Sequence, residues 1–101
     1  MNDTNDSNDD LTHLRVRIEG QVQGIGYRDF VVDMARRMGV NGWVRNRSDG
    51  TVEALVSGKN ADVERLVGQM SRGPQGSRVT SYELHRAEPA TEPGFRRRPT
   101  L

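Results

Sequence analysis

A change in the spacing of apolar residues around a glycine-rich segment constrains the fold of this chain most strongly. Between residues 13 and 19 apolar and polar side chains alternate, which is the pattern of a half-buried β-strand. From Tyr27 to Met38 the apolar residues recur with helical spacing, and Gly39 supplies a typical C-terminal stop. Residues 20–26 contain three glycines, which permit backbone angles that side chains forbid. The sequence therefore predicts a strand and a helix joined by a loop of unusual backbone conformation.

The middle of the chain predicts a β-hairpin. Residues 42–47 and 51–57 have the composition of two extended strands. The Asp49-Gly50 pair lies between them, and this dipeptide is typical of a tight turn. Gly58 is expected to break the second strand, because glycine weakens a strand interior.

The second half of the chain predicts another helix and another strand. Apolar residues between positions 63 and 70 fall on one helical face, and Asn60 is the expected N-cap. A strand is predicted over residues 78–88, and the sequence allows a short fifth edge strand over residues 94–98. The order strand, helix, strand, strand, helix, strand predicts an α+β fold of the ferredoxin-like, split βαβ type. In this fold a mostly antiparallel sheet carries both helices on one face.

Composition limits the organisation and the kinds of site. The 101 residues suffice for one domain, which we expect over residues 11–101. Residues 1–10 contain four aspartates and almost nothing apolar, so we expect a disordered acidic tail, and the rest of the chain carries a net charge of +5. The chain has no cysteine and only two histidines, which argues against a metal site. Neither a membrane span nor a signal peptide is recognisable, so we expect a cytoplasmic protein. A monomer is the expected state for a chain of this size and composition.

Arg28 is an electrostatically unfavourable residue at the start of the first predicted helix. A cation there opposes the helix dipole by about 0.3–1 kcal/mol, although Asp29 can offset part of this cost. With the glycine-rich loop and the free N–H groups of the helix, Arg28 would form a pocket of positive potential suited to phosphate. An ordinary exposed arginine beside a flexible loop is an equally good explanation from spacing alone. The segment lacks the Gly-Lys-Ser/Thr sequence of a nucleotide-binding P-loop.

Asn46 is a second unusual residue, because strands generally avoid asparagine. A strand end that prepares for the following turn explains it simply. Alternatively, its uncharged amide can both donate and accept hydrogen bonds, which suits the orientation of a water molecule. Arg45 and Arg47 are expected on the opposite face in solvent, and Glu53 on the exposed face of its strand.

Two long motifs carry a family resemblance. The segment GQVQGIGYR at residues 20–28 resembles the first signature of the acylphosphatases, and GWVRNRSDGTVE at residues 42–53 resembles the second. Both occur in the expected order, with a helix of the expected length between them. The resemblance covers residues 13–99 and implies an enzyme that hydrolyses the mixed anhydride of a carboxylic acid and phosphate. The products are a carboxylate and inorganic phosphate, which is also an expected inhibitor.

The resemblance also implies the roles of individual residues. The arginine at position 28 and the backbone amides of the loop hold the phosphoryl group; the loop residues are Gln21, Val22, Gln23, Gly24, Ile25, Gly26 and Tyr27. The asparagine at position 46 places the attacking water. No metal, cofactor or covalent phosphoenzyme is implied, and the expected partner is a small acyl phosphate rather than a nucleic acid or a membrane.

Two other functions are compatible with the same fold. An RNA-binding module would stack bases on aromatic residues of the central strands, and residues 13–19 and 51–57 contain none. A catalytically silent domain that only binds phosphate would retain the same loop and arginine. Turnover of an acyl phosphate distinguishes both alternatives from an enzyme.

Overall fold

The computed structural model describes residues 10–101, which form five strands and two helices. Residues 1–9 of the predicted acidic tail lie outside the described part of the chain. The elements in chain order are β1 (Leu11–Gln21), α1 (Tyr27–Met38), β2 (Asn41–Asn46), β3 (Val52–Lys59), α2 (Asn60–Arg72), β4 (Arg78–Arg86) and β5 (Phe95–Arg97).

The five strands form one sheet in the order β4-β1-β3-β2-β5. Strand β1 pairs antiparallel with β3 and β4, and β2 pairs antiparallel with β3. The short strand β5 adds to the edge of the sheet in parallel with β2. This arrangement confirms the predicted ferredoxin-like topology, including the fifth edge strand.

Both helices cover the same face of the sheet and enclose the core. Strand β1 contributes Val16 and Ile18, which alternate with polar residues, and α2 contributes Leu66 and Met70; all four side chains are fully buried. Burial of each such side chain stabilises the fold by about 1.5–3 kcal/mol. The other face of the sheet carries no helix and is rich in charged side chains.

A β-bulge explains why Val79 is out of phase with Tyr82 and Leu84, the apolar residues that follow it in β4. The register between β1 and β4 shifts between Glu19 and Gly20, and Val79 pairs with Gly20. This shift returns Val79 to the helix-covered side, where it packs against the core. Only glycine fits at position 20, because its φ is +132° and an added Cβ would lie 1.9 Å from the carbonyl oxygen of Arg78.

The beginning of α2 differs from the prediction in two respects. Gly58 does not break β3, which continues to Lys59. Asn60 is the first helical residue and not the N-cap; its Oδ1 instead accepts a hydrogen bond of 2.9 Å from the hydroxyl of Thr12. The side chain of Asn60 therefore ties β1 to the start of α2.

The helix-free face of the sheet contains a buried ion-pair cluster where solvated residues were expected. Arg45 and Arg47 donate hydrogen bonds of 2.9 and 3.0 Å to Oε1 of Glu53, which is only 6% exposed. The expectations of a solvent-exposed Glu53 and of two free arginines are wrong, because all three side chains share one face of β2, β3 and the turn between them. Burial raises the pKa of Glu53, but the hydrogen bonds from Arg45 and Arg47 outweigh it and hold that pKa below its ordinary value.

Replacement of Glu53 by glutamine should destabilise the protein by about 1.5–3 kcal/mol at pH 7, because two charge-assisted hydrogen bonds are weakened. The lowered pKa means that the ionised carboxylate stabilises the fold above its ordinary pKa of 4.5, and that this contribution is lost as the pH falls through the lower folded value. Urea unfolding of both proteins from pH 7 to pH 3 measures the difference. This difference in the free energy of unfolding should have its full size at pH 7 and shrink below about pH 4.

The control for this measurement is Glu64→Gln, since Glu64 is an exposed residue of α2. This variant should differ from the parent by less than about 0.5 kcal/mol. A Glu53→Gln variant as stable as the parent at pH 7 would contradict a stabilising role of the cluster.

Candidate functional site

The loop between β1 and α1 leaves the first amides of α1 without a side-chain cap. Gly26 occupies the N-cap position with a left-handed backbone, and no side chain of residues 10–101 caps the helix there. The first hydrogen bond of the helix runs from the amide of Phe30 to the carbonyl of Gly26, with a length of 3.0 Å. The N–H groups before Phe30 therefore have no partner within the helix and can bind an anion.

Tyr27 fixes the position of this helix start from inside the core. Its side chain is 1% exposed, and its hydroxyl donates a hydrogen bond of 2.6 Å to the carbonyl of Met70 in α2. Burial raises the pKa of Tyr27, so the hydroxyl stays protonated and keeps donating. Since this hydroxyl is occupied by α2, Tyr27 offers its backbone, and not its phenol, to a ligand.

Gln23 fastens the loop to the β2–β3 hairpin. Its side-chain amide donates two hydrogen bonds, of 2.9 Å to the carbonyl of Arg47 and 2.8 Å to the carbonyl of Thr51. The two carbonyls flank the hairpin turn, which is itself closed by a bond from the Arg47 amide to the Thr51 carbonyl. The loop is therefore held against the hairpin that carries Asn46.

A cavity of about 110 Å³ lies between the loop, the start of α1 and β5. This volume is several times the roughly 30 Å³ that a water molecule takes in the liquid, so a small anion fits. The cavity has seven lining residues, of which five were predicted from the sequence: Val22, Gly24, Gly26, Tyr27, Arg28, Asp29 and Arg97. The other predicted loop residues, Gln21, Gln23 and Ile25, line a separate depression next to Gly50 and Gly76.

Asn46 ends β2 on the helix-covered side of the sheet, in register with the buried Val52. Its backbone carbonyl accepts a hydrogen bond of 3.1 Å from the amide of Leu101, which closes the end of the strand. Its side-chain oxygen Oδ1 is buried and has no hydrogen-bond partner within residues 10–101. Asn46 does not line the Arg28 cavity; the hydrogen bonds of Gln23 on either side of the turn bring the loop close to it.

Sequence reasoning missed a charged pair at the rim of this cavity. Nη1 of Arg97 in β5 lies 2.7 Å from Oδ1 of Asp29 in the first turn of α1. Asp29 was expected to compensate Arg28, and the structure pairs it with Arg97 instead. The cluster of three arginines at positions 96–98 was the available signal, but only the register of β5 shows which of them faces the cavity.

His13 and Trp43 make contacts elsewhere in the fold and do not line the cavity. His13 lies on β1 with Nδ1 2.6 Å from the hydroxyl of Ser57, and no group of three potential metal ligands occurs in the described part of the chain. The guanidinium groups of Arg45 and Arg98 lie 4.6 and 5.1 Å from the ring centroid of Trp43. Neither α1 nor α2 has the length and the apolar character that a membrane-spanning helix requires.

Comparison with known proteins matches the acylphosphatase family model over residues 14–97. The acylphosphatase of Acidiphilium cryptum is 51% identical over 82% of this chain and 91% of its own length. The solved acylphosphatase structures from Coxiella burnetii and Bacillus subtilis superpose with TM-scores of 0.82 and 0.79. They are 28% and 32% identical and cover 87% and 86% of this chain, with 93% and 97% of their own chains.

Replacement of Gln23 by alanine should weaken the binding of inorganic phosphate by roughly 5- to 30-fold, because the loop must then be ordered when the anion binds. The loss of two hydrogen bonds should also lower the free energy of unfolding by about 1–2 kcal/mol. Isothermal titration calorimetry and urea unfolding measure the two effects.

Gln69→Ala provides the matched control, since Gln69 lies in α2 and lines none of the cavities around the loop. Its phosphate affinity should equal that of the parent protein. Unchanged affinity in Gln23→Ala would show that the loop keeps its conformation without these hydrogen bonds.

Proposed function

The chain belongs to the acylphosphatase family, and from this premise we propose that it hydrolyses acyl phosphates to a carboxylate and inorganic phosphate. One observation supports this activity most directly. Arg28, the glycines of the loop and the uncapped start of α1 line one cavity, so a phosphoryl group placed there would meet a guanidinium and several backbone N–H donors together.

Arg28 and the loop amides supply the charge stabilisation that phosphoryl transfer requires. A guanidinium binds two oxygens of a phosphoryl group through parallel hydrogen bonds, and it stays charged at all relevant pH values. Amides held in place before the reaction need no reorganisation as charge develops on the equatorial oxygens. The hydrogen bonds of Gln23 and the buried side chain of Tyr27 provide this preorganisation here.

Asn46 is the residue we assign to the attacking water. Its side chain is partly exposed at the end of β2, and its amide Nδ2–H group can donate a hydrogen bond to a water molecule. A water molecule that accepts this hydrogen bond would be aligned for in-line attack on a phosphorus atom held by the loop.

The reaction needs little further assistance from the protein. The water oxygen bonds to phosphorus while the bond from phosphorus to the carboxyl oxygen breaks, and the electron pair leaves with the carboxylate. The proton of the water passes to a phosphoryl oxygen, so no protein base is required. Since a carboxylate is a good leaving group, positioning and charge stabilisation suffice.

Several finer expectations belong to this proposal. Inorganic phosphate should occupy the same cavity as a competitive inhibitor, because it presents the same tetrahedral oxygens to Arg28. Turnover is expected to be independent of metal ions. The monomeric state and the cytoplasmic location stay predictions.

The assay for this proposal is phosphate release from benzoyl phosphate, with and without EDTA. We expect turnover that the chelator does not change. Arg28→Ala should lower kcat/KM by roughly 10- to 150-fold, because it removes a charge-assisted pair. Asn46→Ala should lower kcat by about 100-fold or more while inorganic phosphate still binds, since only the water loses its alignment.

Arg37→Ala and Asn41→Ala are matched controls and should keep parental activity. Arg37 is an exposed residue at the other end of α1, and Asn41 is an amide at the other end of β2. Phosphate binding without any turnover would identify a silent phosphate-binding domain. Full activity of Asn46→Ala would contradict the role we assign to that residue.

A further inference from the structure

Arg97 occupies a position where strand periodicity predicts a core residue. In β5 it lies two residues after Phe95, which is 2% exposed, and it pairs in register with Val44, which is fully buried. Arg97 therefore projects to the helix-covered side of the sheet. At this end of the sheet that side faces the cavity with Arg28 instead of the core, and a guanidinium can be accommodated.

The ion pair between Arg97 and Asp29 adds little to the stability of the fold. The side chains of Arg97 and Asp29 are 46% and 67% exposed, and ion pairs at such exposed positions contribute little stability. The 2.7 Å hydrogen bond to Asp29 engages only Nη1 of Arg97. A guanidinium has five N–H donors, so Asp29 can hold one edge of the group while another edge serves a ligand.

The cavity is lined by one guanidinium group, that of Arg97, which the proposed phosphoryl contacts do not use. Arg28 and Arg97 contribute two positive charges, Asp29 contributes one negative charge, and the uncapped start of α1 adds partial positive charge. Arg28 and the loop amides already account for the phosphoryl group. Arg97 remains available to the other part of the substrate, the acyl group.

We propose that Arg97 determines specificity by binding a carboxylate on the acyl part of the substrate, so that the preferred substrates are monoacyl phosphates of dicarboxylic acids. This inference rests on the proposed acylphosphatase activity at the same site. The planar guanidinium fork matches a carboxylate in two parallel hydrogen bonds, and the present partner of Arg97 is itself a carboxylate. Asp29 acts as a positioning residue that holds Arg97 over the cavity.

The test compares benzoyl phosphate with 3-carboxybenzoyl and 4-carboxybenzoyl phosphate, whose rigid rings prevent the carboxylate from attacking its own acyl carbon. At low ionic strength the parent protein should hydrolyse at least one carboxylated substrate with about fivefold higher kcat/KM, mainly through a lower KM. Arg97→Gln should abolish this preference, so that the ratio of kcat/KM between the carboxylated substrates and benzoyl phosphate falls to about one.

Arg96→Gln is the matched control, because it removes the same charge from the same strand. Arg96 pairs with Trp43 on the helix-free face and makes its ion pair with Glu92, at 3.1 Å. This variant should retain the preference for a carboxylated substrate. Equal use of all three substrates by the parent, or the same preference in Arg97→Gln as in the parent, would overturn the proposal.

Binding of phosphonate analogues separates this inference from the proposed catalytic function. Benzylphosphonate and its 3- and 4-carboxy derivatives cannot be hydrolysed, so their affinities can be measured even in a protein without turnover. The carboxylated compounds should bind more tightly in the parent and in Arg96→Gln, but not in Arg97→Gln. Absence of benzoyl phosphate hydrolysis would contradict the catalytic function, whereas loss of the affinity difference in the parent would contradict the role of Arg97.

Discussion

The site depends on the way the backbone of residues 22–27 is held between a strand and a helix. Gln23 ties the loop to the hairpin through two carbonyl groups, and Tyr27 anchors the first residue of α1 to α2. These contacts order the backbone N–H groups of the loop during folding, which preorganises them for the anion that we propose they bind. Arg28 adds a permanent charge to this frame, and the left-handed Gly26 keeps the helix start open.

Much of the fold follows from periodicity that is visible in the sequence. Alternation in β1 and helical spacing in α1 and α2 each place apolar side chains on one face, and one sheet with two helices on one side buries most of them. Pairing irregularities are not visible in this way. The bulge opposite Gly20 changes which side Val79 faces, and only the pairing of β1 with β4 determines it.

The site residues likewise divide into those with a local sequence signature and those whose contacts depend on the pairing of distant segments. Arg28 and the glycines have local signatures, because they stand at a helix start and in a glycine-rich turn. Asn46 stood out as an asparagine in a strand, and the long family motifs implied its role. The pair between Asp29 and Arg97 joins residues 68 positions apart, so no local pattern reveals it. Glu53 was assigned to solvent because its strand alternates, yet two arginines from the neighbouring strand and turn cover it. Such contacts depend on register and on side-chain reach, which a single sequence does not specify.

We propose that the backbone amides of the β1–α1 loop, together with Arg28, form the phosphate site. Titration of ¹⁵N-labelled protein with inorganic phosphate tests it most directly, because each amide reports its own environment by NMR. The largest shifts should fall on the amides of residues 22–28, with a smaller change in the side-chain amide of Asn46. Shifts confined to the arginine-rich, helix-free face of the sheet would contradict the claim.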